Sequence, residues 1–176
     1  MIIYLIIALL VLILDQVTKW LVKTNMALHE TIPVLGDFFV LTSHRNKGAA
    51  FGILQGQQLF FLIITVIFLV GISWYLYKSV KSGQRLVPFA LSLMLGGAVG
   101  NFYDRAMHGE VVDFLQFTFQ GSIMGWKFDY IFPIFNAADS GIVIGTILIL
   151  FDSLRSWRLE AKQEAAKAEE PTHEPV

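Results

Sequence analysis

The chain has 176 residues, 55% of them hydrophobic and 15% charged, with a mean hydropathy of +0.61. That is too apolar for an ordinary soluble domain, and a net charge of −1 gives no reason to expect a nucleic-acid partner. Cysteine is absent and the four histidines (His29, His44, His108, His173) lack HxxH or HExxH spacing, so disulfides, cysteine nucleophiles, metal sites and other cofactors are not expected.

A helix needs about 20 apolar residues to cross roughly 30 Å of hydrocarbon, and four segments qualify. The first, at 2–22, is interrupted only by Asp15, Gln16 and Lys19 near its far end. With no basic n-region and no Ala-x-Ala-like site behind it, it reads as a retained helix, not a cleaved signal peptide. Residues 24–58 contain Thr31-Ile-Pro-Val-Leu-Gly36 and Phe38-Phe-Val-Leu-Thr42, β-rich stretches that predict a small sheet on the membrane surface. The second helix, 59–77, carries no charge, and the third, 87–103, is short and glycine-rich. Residues 104–135 hold Phe114, Phe117, Phe119, Trp126, Phe128, Tyr130 and Phe132 with little charge, as expected of a segment lying in the interface. The fourth helix, 138–157, has Asp139 at its start. Residues 1–159 thus form one four-helix membrane domain, and 160–176 read as a charged, disordered tail.

The joint around Lys78, Lys81 and Arg85 is short, basic and free of acids, which marks it as cytoplasmic. Arg155, Arg158 and Lys162 put the end of the fourth helix on the same side, so both termini are expected in the cytoplasm. Trp20, Trp74, Tyr75, Tyr77 and Trp157 lie near helix ends, as interfacial aromatics should. Gly96-x-x-x-Gly100 and Gly141-x-x-x-Gly145 read as close helix packing.

Two aspartates stand out. A carboxylate beside hydrocarbon costs several kcal/mol unless it is paired, neutralised or facing a wet cavity. Asp113 sits in Val111-Val112-Asp113-Phe114 with no capping pattern, and Asp139 closes Phe135-Asn136-Ala137-Ala138-Asp139. Taken alone, Asn136 and Asp139 read as a helix cap, Asp104-Arg105 as an interfacial ion pair, and Asp15-Lys19 equally as mutual neutralisation or a substrate contact. Together with Asn46 and Asn101 they gather toward one membrane face. With no cysteine, no histidine cluster and no obvious serine–base pair, the two carboxylates Asp113 and Asp139 are the best available catalytic groups. Two close carboxylates share a proton, so one activates water while the other polarises a carbonyl. Asparagines and Arg105 supply donors without adding a competing base. A small transporter and a non-enzymatic assembly factor are the rivals; gathering at one face speaks against a midplane transport site.

The motifs Asp15-Gln-Val-Thr-Lys19, Arg45-Asn46-Lys-Gly-Ala-Ala-Phe51, Gly100-Asn101-Phe-Tyr-Asp104-Arg105, Val111-Val-Asp113-Phe114 and Phe135-Asn136-Ala-Ala-Asp139, in this order, resemble the lipoprotein signal peptidases (signal peptidase II). The resemblance runs from the first helix to the end of the fourth, with His44 before Arg45 less typical. It implies an all-α integral membrane fold: four transmembrane helices, a small extracytoplasmic β-cradle and an interfacial loop or helix. It also implies an aspartic endopeptidase of the bacterial cytoplasmic membrane, with its active site near the extracytoplasmic face. Its substrates would be prolipoproteins carrying a diacylglyceryl-cysteine, drawn from membrane lipid and cut just before that cysteine, and globomycin would inhibit it. By motif position Asp113 and Asp139 would be catalytic, Asn46, Asn101, Arg105 and Asn136 would bind substrate or order the site, and Asp15 would support them.

Overall fold

A computed structural model describes residues 1–48, 53–123 and 126–168. The elements in chain order are α1 (Ile2–Asn25), β1 (Thr31–Leu35), β2 (Phe39–Asn46), α2 (Gln58–Lys81), α3 (Leu86–His108), β3 (Val111–Ile123), β4 (Trp126–Ile131) and α4 (Ala137–Ala168). All four helices are long and apolar enough to cross a membrane.

The short glycine-rich helix is the central one. α3 packs against α1, α2 and α4, and most of its spanning stretch is buried, whereas the other three present most of theirs outward. The glycines explain the difference. A Cβ on Gly96 would strike the Ala8 carbonyl and Val11 of α1, and one on Gly97 would strike the Ala138 carbonyl of α4. Across the α3–α4 contact, a Cβ on Gly145 would strike Ala90 and Met94. Without side chains at these points the backbones approach closely, and dispersion contacts replace the hydrophobic drive that lipid removes. α3 stops at Gly109, whose φ of +73° is a left-handed cap and whose N–H donates to the Arg105 carbonyl at 3.0 Å.

Outside the bundle the four strands form one antiparallel sheet in the order β1-β2-β3-β4. β1 and β2 join through a tight turn at Gly36, with Leu35 opposite Phe39. β3 is long enough to serve two partners: Val111–Phe117 pair with β2, and Thr118–Ile123 pair with β4. Val112 and Phe114 pack on Val22 of α1, with Met26, Leu41 and Leu115 around them, tying the sheet to that end of the bundle.

Two expectations are corrected. The stretch expected as an interfacial loop or helix is extended, with Val111–Ile123 and Trp126–Ile131 pairing as antiparallel β3 and β4 beside the small sheet expected within residues 24–58. Val111, Val112, Phe114, Phe117, Thr118 and Phe119 are β-branched or aromatic, and they fit a pleated surface better than a helix. Secondly, α4 does not end near Trp157 but continues to Ala168, so residues 160–168 are helical where a disordered tail was expected. Glu, Ala, Lys and Gln are strong helix formers, and extending an existing helix requires no new nucleus. Residues 169–176 lie outside the described residues.

Candidate active site

Asp113 is aimed by the pleat of β3. Its neighbours Val112 and Phe114 join the apolar cluster at the end of α1, so Asp113 points to the opposite face. There the register sets His44 across from Asp113 and Asn46 across from Val111. Asn46 reaches diagonally, its Nδ2 donating to Asp113 Oδ2 at 2.8 Å. On the other edge of β3, Phe114 N and Leu115 N donate to the Phe135 carbonyl at 3.0 and 2.8 Å. Asn136 is thereby delivered beside Asp113, and its Nδ2 donates to Asp113 Oδ1 at 2.7 Å.

Asp139 lies in the first turn of α4. Asn136 Oδ1 accepts the Asp139 N–H at 3.0 Å, and Asp139 Oδ2 accepts the Asn136 N–H at 3.2 Å. This is a reciprocal capping box. The cap anticipated from sequence is present, and it leaves Asp139 Oδ1 free to accept Asn101 Nδ2 from α3 at 2.8 Å.

The polarity of these amides is fixed by groups that can only donate. Asn46 Oδ1 accepts the Gly48 N–H at 2.9 Å, Asn136 Oδ1 accepts the Asp139 N–H, and Asn101 Oδ1 accepts Lys19 Nζ at 2.8 Å. With each oxygen held by a backbone N–H or an ammonium, each Nδ2 must face a carboxylate. Three asparagines therefore deliver donors to the two aspartates and no acceptor that competes for a proton.

Beneath them is a buried charge network. Lys19 Nζ lies 2.7 Å from both Asp15 Oδ2 and Asp104 Oδ2. Asp15 Oδ1 also accepts the Ala138 N–H at 2.9 Å, and Gln16 Nε2 donates to Asp15 Oδ2 at 3.1 Å. Asp15 thus braces the start of α4 and does not line the cavity. The expected Asp104–Arg105 pair is absent: Asp104 turns inward to Lys19, because consecutive helical residues point about 100° apart. Arg105 instead donates from Nη2 to the Gly48 carbonyl at 3.1 Å, with its guanidinium 4.9 Å from the Phe61 ring centroid. Of the motif Arg45–Phe51, residues 49–51 lie outside the described residues.

The groups converge on a cavity of about 320 Å³, lined by Asn46, Asn101, Arg105, Asp113 and Asp139 and closed by Phe132–Phe135. A larger hollow of about 770 Å³ lies along the far half of α4 beside Phe151, Arg155 and Trp157, but no carboxylate pair faces it. Burial, and then the charge of Asp139, push the Asp113 carboxyl up to about 7. Burial also lowers His44, helped by His29 and Arg45. Among the described residues no group of three or more His, Asp or Glu is placed to hold a metal. The apolar wall Phe132-Pro133-Ile134-Phe135 and the Lys19–Asp104 contact were not anticipated. Phe-Pro-Ile-Phe immediately before Asn136 was the available signal for the wall.

Four membrane-length helices with a sheet over one end define a polytopic membrane protein, and the two carboxylates share one cavity at that end. The family model of signal peptidase (SPase) II matches residues 7–155. The lipoprotein signal peptidase of Halalkalibacterium halodurans is 48% identical over 164 residues, covering 93% of this chain and 99% of that one. The lipoprotein signal peptidase of Bacillus subtilis is 48% identical over 151 residues, covering 86% and 92%. Two solved bacterial membrane enzyme structures, both obtained by the in meso method, share the fold. One, at 2.3 Å, has a TM-score of 0.73 and 39% identity over 98% of this chain and 93% of that one. The other, at 1.9 Å, has a TM-score of 0.69 and 44% identity over 86% and 92%. The chain belongs to the signal peptidase II family, and it is a peptidase.

Proposed function

We propose that this peptidase is an aspartic endopeptidase that removes signal peptides from diacylglyceryl-modified prolipoproteins, cutting just before the lipidated cysteine. The observation that carries this reading is the pair of carboxylates, Asp113 from β3 and Asp139 from α4, held in one cavity by three asparagines of fixed polarity. With its carboxyl raised to about 7, Asp113 carries the shared proton near neutral pH. Asp139, supported by Asn101 and its own helix cap, is the general base. It takes a proton from water as the water oxygen attacks the scissile carbonyl, and Asp113 donates its proton to the carbonyl oxygen. Collapse of the tetrahedral species returns the hydroxyl proton to Asp113 and passes the proton on Asp139 to the leaving amine.

Arg105, Asn46, Asn101 and Asn136 line or order the peptide groove, and Asp15 steadies the N-terminus of α4. The aromatic wall closes over the bond and excludes water. In the bacterial cytoplasmic membrane both termini face the cytoplasm and the sheet lies over the extracytoplasmic face. A diacylglyceryl group in the bilayer then needs only lateral movement to bring its cysteine to the cavity.

The test is cleavage of a synthetic diacylglyceryl-modified precursor by the purified protein, with products mapped by mass spectrometry. A single cut before the cysteine, blocked by globomycin, is expected. No cut, or a cut elsewhere, overturns the proposal.

A further inference from the structure

We infer that Lys19 is a positioning residue of the reaction, because its buried ammonium fixes the amide of Asn101 so that Asp139 always receives a hydrogen bond. The inference rests on the Asp113–Asp139 reading above and extends it to a residue outside the cavity.

Lys19 is 2% exposed; its Nζ donates to Asp15 Oδ2 at 2.7 Å and to Asn101 Oδ1 at 2.8 Å, and lies in ion-pair contact with Asp104 Oδ2 at 2.7 Å. An ion pair alone would need only the carboxylates. The bond to Asn101 sets a direction. It anchors the oxygen of Asn101, whose Nδ2 then faces Asp139 Oδ1 at 2.8 Å. Asn46 and Asn136 have their oxygens held by backbone N–H groups, which no substitution of a side chain removes. Asn101 is different, since its oxygen is held by two side chains: Lys19 and, at a longer 3.2 Å, Asn136 Nδ2. Lys19 is the shorter contact and the charged one.

Without the ammonium, Asn101 can rotate by half a turn. Its oxygen would then face Asp139, two acceptors would oppose each other, and the conflict is relieved when Asp139 takes up a proton. A proton held there is held by the group that must accept one from water. Loss of Lys19 therefore acts on protonation and turnover more than on substrate affinity.

The experiment measures kcat and KM across pH for cleavage of the diacylglyceryl-modified precursor by the wild type, Lys19→Met, Lys19→Gln and Lys19→Met/Asp104→Asn. The double variant removes one carboxylate with the ammonium, so it decides the matter if Lys19→Met does not fold. Folded variants lacking the donor should lose about 100-fold in kcat with KM nearly unchanged, the scale set by one lost oriented donor. Their acid limb should move to higher pH by about one unit, since the ammonium also favours the ionised pair. Lys19→Gln, which keeps an uncharged donor toward Asn101, should recover about tenfold of the lost turnover. Unchanged pH limbs, with activity falling only as the folded fraction falls, would make Lys19 a structural ion pair and overturn the inference. Failure of the wild type to cleave is a different outcome, which overturns the dyad itself.

Discussion

Replacing Asp113 by Asn should abolish cleavage and change how stability depends on pH. The wild-type carboxyl is raised from the ordinary 3.8 to about 7, chiefly by burial, with the residue 2% exposed. The folded state therefore holds this proton more tightly than the unfolded state. The contribution of the group is fully present below the unfolded value and is lost as pH rises from about 4 to about 7. At about 1.4 kcal/mol per unit, the loss is of the order of 4 kcal/mol. An amide at this position does not titrate and escapes that loss. It introduces another one, however. Asn46 and Asn136 both donate to residue 113, so the new amide must turn its NH₂ toward a donor, at about 1–3 kcal/mol at every pH. Thermal unfolding in one detergent should show Asp113→Asn less stable than wild type near pH 4 and level with it or more stable at pH 8. That crossing corresponds to a relative shift of the order of 10 °C. A constant difference between the two proteins across pH would mean that burial does not act on this carboxyl. Retained turnover would mean that Asp113 is not part of the catalytic pair, and Asp113→Asn/Asp139→Asn should be no less active than either single variant.

Arg105→Lys should lower kcat/KM by about tenfold despite conserving charge, because an ammonium does not reproduce the planar contact with Phe61 and the Gly48 carbonyl; wild-type kinetics would reduce Arg105 to an anchor. EDTA should leave cleavage unchanged, since the donor set is amides and two aspartates; loss restored by added zinc would refute the aspartic assignment. An unlipidated precursor should show a kcat/KM lower by at least about 100-fold, mainly through productive binding, as an acyl chain contributes about 0.8 kcal/mol per buried CH₂. Matched substrates in one detergent decide this, and equal values would mean that the lipid is not read.

Much of the bundle was legible because hydropathy over 20 residues is a local signal. The spans at 2–22, 59–77, 87–103 and 138–157 fall within α1, α2, α3 and α4. What escaped is what depends on distant partners. Val111–Ile123 and Trp126–Ile131 look interfacial by composition, and their strand character appears only when β2 supplies the ladder opposite Val111–Phe117 and β4 the one opposite Thr118–Ile123. Asp104 was matched with Arg105 beside it in sequence, whereas its partner is Lys19, on a different helix. The aspartates and asparagines were recognisable by residue type and motif. Their arrangement was not, because it is created by Phe135 pairing with Leu115 and by glycines letting α3 approach α1 and α4.

The choice of asparagine has a physical reason. A lysine or arginine in contact with both aspartates would hold them ionised, and the pair would have no proton to share. A serine or a water can turn its hydrogen either way and so sets no direction. An amide donates without charge, and once its oxygen is held by an obligate donor its direction is permanent. Asn46, Asn101 and Asn136 each satisfy that condition, through Gly48, Lys19 and the N–H of Asp139. The Lys19 ammonium lies against Asp15 and Asp104 and is joined to Asp139 through the Asn101 amide, while Arg105 in the cavity wall donates to the Gly48 carbonyl. Asp113 is thus left buried, hydrogen-bonded and raised to about 7, a carboxyl able to give and regain a proton near neutral pH.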